Sequence, residues 1–178
     1  MIPRTGRAHI QWYGARVSEQ MRADLVRGLR LATTYARKRI VTVISRSSRV
    51  GAGSRTPGPN AGPPMRFEHS RAGQPPRADT GKLRQSIYGQ VHESQMLGEV
   101  GTTKKYGAYL EKGTRPHTIV ARRKQLLAFG VNGVWVFKRR VRHPGMKPRP
   151  YIFSTVKKNR RKLMALIVRP AQGRMRLA

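Results

Sequence analysis

SIYGQVHESQMLGEVGTTKKYGAYLEKGT, residues 86–114, changes its pattern part-way along. SIYGQVH (86–92) and MLGEVGT (96–102) hold strand-favouring residues on either side of Glu93, Ser94 and Gln95, and the spacing predicts a hairpin. Thr102 or Thr103 offers a hydroxyl to cap a short helix that runs through Leu110, and Gly113 is available for the left-handed residue that closes it. Two strands and a helix in immediate succession point to an α+β architecture.

The flanks extend that reading. Downstream, TIVARRKQLLAFGV (118–131) and VWVFKRRV (134–141) read as strands around Asn132-Gly133, a strong hairpin signal, with Trp135 and Phe137 turned into the sheet core. HPGMKPRP (143–150) is a Pro-rich linker. A closing helix is predicted over 151–168, with Ile152, Phe153, Val156, Leu163 and Ile167 in its apolar stripe. Upstream, Thr80 caps a helical turn through GKLRQS. Val17, Met21, Leu25, Leu29, Ala32, Ala36, Ile40 and Val43 recur at the three-or-four spacing of one long amphipathic helix over 17–44. Between them, 45–79 is rich in Gly, Pro, Ser and Arg. Such a stretch cannot bury enough of its own surface to offset its ordering entropy, so it is expected as an extended arm held by a partner or a neighbouring subunit. The expected whole is a single domain over 1–178. It has a helix, an arm, an α+β core over 80–168 with an antiparallel sheet of about four strands and an inserted short helix, and a basic tail over 169–178.

Charge narrows the partners. The 178 residues carry 38 Lys and Arg against 7 Asp and Glu, a formal net charge of +31. Residues 112–178 hold 19 of those cations and no acid. Repulsion on that scale favours a polyanion or an acidic protein surface as neighbour. KRRVR (138–142) and KKNRRK (157–162) are the densest runs, which makes Lys138, Arg139, Arg140, Arg142, Lys157, Lys158, Arg160 and Arg161 the candidate contacts to DNA or to an acidic partner. There is no cysteine, no secretory leader in MIPRTGRAHIQWYGARV and no apolar run long enough for a membrane span, so a soluble chain made in a cytoplasm is expected.

Catalytic chemistry is poorly provided for. No two carboxylates stand at a spacing that suggests an acid and base pair, and a two-metal nuclease needs several that converge. His9, His69, His92, His117 and His143 are scattered, without metal-ligand spacing. Asp79-Thr80-Gly81 matches an aspartic protease tripeptide but has no second copy and sits at a helix start. Neither an enzyme nor a cofactor or metal site is expected.

Four strings occur in one order: DTGKLRQSI (79–87), KKYGAYLEKGT (104–114), LLAFGVNGVWVFKRRVRHPG (126–145) and KPRPYIF (147–153). Together they resemble the tail-completion family of long-tailed bacteriophages, small head–tail neck or minor tail components related in role to the lambda Z protein. Tyr106, Tyr109, Glu111, Gly113 and Thr114 stand where that family reads Tyr-Ala-x-Tyr-x-Glu-x-Gly-Thr. His143, Pro144, Gly145, Pro150 and Tyr151 match its ending before the last helix. Gly107 and Lys112 depart from the pattern and weaken the helix; the arm is also longer than the family requires. The resemblance implies a non-enzymatic virion protein of the neck, assembled as a homo-oligomeric ring with six-fold symmetry. Its partners would be head-completion or connector proteins and tail terminator or tail tube proteins, with genomic DNA passing through the channel.

Two expectations complete the reading. Tyr106, Tyr109 and Leu110 share one helix face with Glu111 beside it, so the carboxylate is expected to be partly buried and to accept bonds from Arg149 or Arg115. The alternative function is a ribosomal or nucleoid-type nucleic-acid-binding protein, since those also join a small α+β core to basic, Gly/Pro-rich arms.

Overall fold

A computed structural model describes residues 8–11, 19–46, 49–50, 62–64, 66–67, 70–122 and 125–175. In chain order the elements are β1 (Ala8–Gln11), α1 (Glu19–Val43), β2 (Arg49–Val50), β3 (Arg66–Phe67), α2 (Lys82–Gln85), β4 (Ile87–His92), β5 (Leu97–Thr102), α3 (Lys105–Lys112), β6 (His117–Val120), β7 (Leu127–Val131), β8 (Val134–Lys138), β9 (Arg140–His143), α4 (Ile152–Lys158) and α5 (Arg160–Met175). The class is α+β. Among the described residues no helix is long and apolar enough to cross a membrane.

The long helix forms as its periodicity requires. Leu25, Leu29, Ala32, Ala36 and Ile40 bury one side of α1, and Leu163 and Ile167 of α5 close over it with Ile87 and Val100 of the β4–β5 hairpin. Val17 lies outside the described residues. The anticipated hairpin pairs Ile87 with Thr102 through His92 with Leu97, and Met96 takes a positive φ of 51° to close its turn. A strand too short to be read from sequence, β1, adds to the other edge of β5.

The four expected strands are present but do not make one sheet. A three-stranded sheet, β1-β5-β4, stands apart from three two-stranded pairs. TIVARRKQLLAFGV divides into β6 and β7, and VWVFKRRV into β8 and β9. Antiparallel pairing is nested: Thr114 bridges Met146, β6 pairs with β9, the Ala121 amide donates to the Arg139 carbonyl, and β7 pairs with β8 around Asn132-Gly133. Ala121 thus bonds to Arg139 and Leu127 pairs with Lys138, and those two partners are adjacent on the return strand. The product is one long ribbon over 117–143 with an interruption in one strand. Trp135 is half-buried, but Phe137 is 49% exposed and does not enter a core. A two-stranded ribbon has no second layer in which to hide both faces.

Parts of the arm are tied to the chain's own body. Where described, β2 pairs with β3, Pro64 is buried against Gly130 of β7, the Gly73 amide donates to the Pro148 carbonyl, and the Ala78 amide donates to the Arg46 carbonyl. Backbone bonds of this kind carry no sequence signal.

The final helix differs from its prediction in three ways. It breaks at Asn159, whose side-chain amide donates to the Thr155 carbonyl and whose side-chain oxygen accepts from the Tyr35 hydroxyl at 3.1 Å. It continues to Met175 despite Pro170, because Ala171 beyond the proline is still buried; most of the expected basic tail is therefore helical. Phe153 is 58% exposed, since Tyr151, Ile152 and Thr155 take the inward positions.

Candidate functional site

Glu111 lies on the last turn of α3, a helix that starts immediately after β5. The expected threonine cap does not form. Lys104 holds the N-cap position without a side-chain bond, while the Thr102 hydroxyl accepts the Lys104 amide at 3.2 Å and shares a buried 2.7 Å bond with Ser86. Gly107 is required where the family pattern has another residue before Ala108. A Cβ there would stand 2.4 Å from Thr102 Cγ2 and 2.8 Å from the Tyr151 hydroxyl. The cost of glycine in a helix is about 1 kcal/mol, and it allows α3 to seat directly on Tyr151.

That seating carries the carboxylate of Glu111, a residue only 6% exposed, to the start of α4. Its Oε2 accepts the amides of Tyr151 at 2.9 Å and Ile152 at 3.1 Å, and its Oε1 accepts the amide of Phe153 at 2.9 Å. The first amides of a helix have no intrahelical acceptor and sit at its positive end, so a buried carboxylate finds its hydrogen-bond donors here in the backbone. Neither Arg149 nor Arg115, the expected partners, takes part; Arg149 contributes its backbone amide to the Leu110 carbonyl at 2.8 Å. Tyr151 is fully buried, and its hydroxyl reaches the Gly107 carbonyl at 3.5 Å. Burial first, then the Glu111 charge and then Tyr106, push its phenol well above the ordinary 10.0, so it is a neutral donor.

A second contact locks the base of the ribbon. Thr114 and Met146 exchange both backbone hydrogen bonds, at 2.9 and 3.0 Å. The crossing leaves no room for side chains on its neighbours: Gly113 and Gly145 have φ of 78° and 85°, and a Cβ on either would stand 2.5 Å from the opposing Met146 or Thr114 carbonyl oxygen. His117 and His143 face each other in the next register and stack with centroids 5.0 Å apart. The Gly145 amide donates to His143 Nδ1, which places the proton of the neutral ring on Nε2.

The motif residues thus converge unevenly. Glu111, Gly113, Thr114, Gly145, Pro150 and Tyr151 meet at this junction, whereas Tyr106, Tyr109 and Pro144 are exposed. Burial raises the Tyr106 phenol above its usual value. All eight candidate basic residues are exposed and fall in two places: Lys138, Arg139, Arg140 and Arg142 on the returning strand of the ribbon, and Lys157, Lys158, Arg160 and Arg161 around the break between α4 and α5.

Sequence reasoning missed the capping role of Glu111, because the amides it accepts lie 40 or more residues further along the chain. It also missed a groove of about 560 Å³ in which Ser70 and Arg149 face α2 and Leu110. No group of three or more His, Asp or Glu among the described residues is placed to hold a metal ion. Comparisons with protein-family models, with curated proteins and with solved structures give no significant match.

Proposed function

We propose that the chain is a structural subunit of the neck of a long-tailed bacteriophage, a tail-completion or head–tail joining protein. It would assemble as a ring between the head connector and the tail tube. One observation carries this reading. Two of the separate strings behind the family resemblance meet in one tertiary contact, in which Glu111 of the second caps the helix that Pro150 and Tyr151 of the fourth open. The ribbon supports it from another side, because Ile119, Val120, Val134 and Phe137 are exposed on a two-stranded element that neighbouring subunits would cover. Exposed cations suit acidic connector surfaces or genomic DNA in the channel. In this reading the protein has no catalytic role, its partners are copies of itself and the adjoining neck and tail proteins, and it resides in the virion.

A nucleic-acid-binding protein of ribosomal or nucleoid type is the second reading. The four exposed cations on the returning strand of the ribbon favour it, since β-ribbons enter the grooves of duplex DNA. Light scattering at low and high salt, with and without a DNA duplex, separates the two. A discrete ring near six times the 20.1 kDa chain mass, insensitive to duplex at moderate salt, is the expected result. Tight duplex binding that collapses steeply with salt and shows no defined oligomer would replace the neck assignment with the second reading.

A further inference from the structure

Residues 126–137, LLAFGVNGVWVF, hold no ionisable side chain, in a chain whose formal net charge is +31. They form the outer part of the ribbon, β7 and β8 around the Asn132-Gly133 turn. Paired residues share a face of a ribbon, and successive residues alternate between its faces. One face therefore carries Leu127, Phe129, Val131, Val134 and Val136, with Lys138 opposite Leu127 at its inner end. Val131 and Val134 are 44% and 65% exposed, and the other three apolar residues are half-buried. The reverse face is partly covered by the chain itself, since Pro64 is buried against Gly130, where an added Cβ would stand 2.5 Å from Pro64 Cβ. A two-stranded sheet with an apolar face needs a further layer on it.

The charges around the face select that layer. Lys138 stands on it, Arg139, Arg140 and Arg142 follow on the same strand, all four are exposed, and residues 112–178 contain no acid. We propose that an acidic amphipathic helix of a partner protein packs its apolar stripe on this face and sets its carboxylates against Lys138 and the arginines behind it. The face is two strands wide and about 17 Å long, which suits a helix about 10 Å across. A single added strand would instead extend the ribbon at its edge and leave the face open. A second copy would bring a like charge of +31 to the contact. Nucleic acid would satisfy the cations but would present hydrated phosphates to the valines. Phe137 pairs with Ala128 on the reverse face, so it stays available for contacts between copies. The inference rests on the neck reading, which supplies adjoining proteins with acidic surfaces. The ring measured by light scattering tests that reading, and a separate binding experiment tests this one.

That experiment is fluorescence anisotropy of a labelled helical peptide with Leu at every third or fourth position and Glu at the flanking ones. It is run at physiological ionic strength, where loose attraction to a basic protein is screened. Val131→Ser combined with Val134→Ser should weaken binding about ten-fold, and Lys138→Gln about three-fold. Arg27→Gln, at an exposed cation of α1, should leave it unchanged. A peptide of the same composition with its Leu positions scrambled should bind about ten-fold more weakly. The proposal is overturned if the valine variant binds like the parent chain, if Arg27→Gln weakens binding as much as Lys138→Gln, or if the scrambled peptide binds as well. Binding of an oligothymidylate that depends on the same valines would assign the face to nucleic acid, and self-association that they support would give it to a second copy; either result rejects the proposal. Both valines are exposed, so the variant is expected to fold. Should it not, Lys138→Gln and the scrambled peptide decide.

Discussion

The Glu111 junction and the ribbon over 117–143 are joined end to end and built on opposite terms. In the junction a buried carboxylate has three amide donors, two backbone strands cross at Thr114 and Met146, and glycines stand where any Cβ would collide. In the ribbon Val134 is 65% exposed, Phe137 49%, and every residue of β6 faces solvent. The first region is complete within one chain. The second offers apolar and cationic surface with little of its own fold to cover it. The difference teaches where each kind of residue acts: junction residues tie α3 to the start of α4 and close the base of the ribbon, and ribbon residues face outward. A rigid base under an uncovered ribbon supports the proposed role as an assembly subunit.

The comparison breaks most severely at Glu111. Glu111→Ala leaves three amides at the start of α4 without an acceptor and removes a buried charge-assisted network, an expected loss of about 4 kcal/mol. Against a total stability of about 5–15 kcal/mol, that lowers the thermal midpoint by roughly 12 °C. Glu111→Gln retains one carbonyl oxygen but turns its amide NH2, itself a donor, toward at least one backbone N–H, so about half that loss is expected. Calorimetry of the two variants checks it. Unchanged stability in both would remove the junction as the cause of the ribbon's fixed base.

How much of this was legible beforehand follows from the range of each signal. The helix over 19–43, the β4–β5 hairpin and the Asn132-Gly133 turn were readable, because periodicity and turn chemistry are local. Glu111 was recognisable as unusual in so basic a chain, but its partners were not, since a sequence displays side chains and the acceptor here found backbone amides 40 or more residues away. The division of VWVFKRRV at Arg139 depends on which strand each half pairs with, a non-local choice. The anchoring of the arm through the Gly73 and Ala78 amides was invisible for the same reason. Phe153 and Phe137 looked like core by hydrophobicity alone and lie outside it; apolar character cannot state which of several inward positions is already filled.

A smaller effect sharpens the junction side of the comparison. Tyr151→Phe removes a hydroxyl whose bond to Gly107 is long, at 3.5 Å, so a loss of about 0.5–1 kcal/mol is expected near neutrality. The pH dependence is more diagnostic. Because the folded phenol titrates above its unfolded value of 10.0, the folded state holds the proton more tightly. Its contribution is therefore fully present below pH 10 and is lost as pH rises above it, with a slope approaching 1.4 kcal/mol per unit while only the unfolded phenol is ionised. Urea titrations of parent and Tyr151→Phe between pH 8 and pH 11 should converge and then cross, whereas parallel curves would show that Tyr151 is not sealed by the junction.

The smallest expected effect on stability tests the ribbon. Phe137→Ser removes an aromatic ring that already faces solvent, so the isolated chain should change by no more than about 0.5 kcal/mol. If the ribbon is covered only in an assembly, the same substitution should abolish ring formation, because an uncovered aromatic at an interface is the kind of residue that dominates binding. Sedimentation and calorimetry on one sample give both readings. Loss of assembly with intact stability separates the two regions as argued. Loss of stability without any change in assembly would mean that the ribbon belongs to the body after all, and that its exposed row contributes to the monomer instead of to a neighbour.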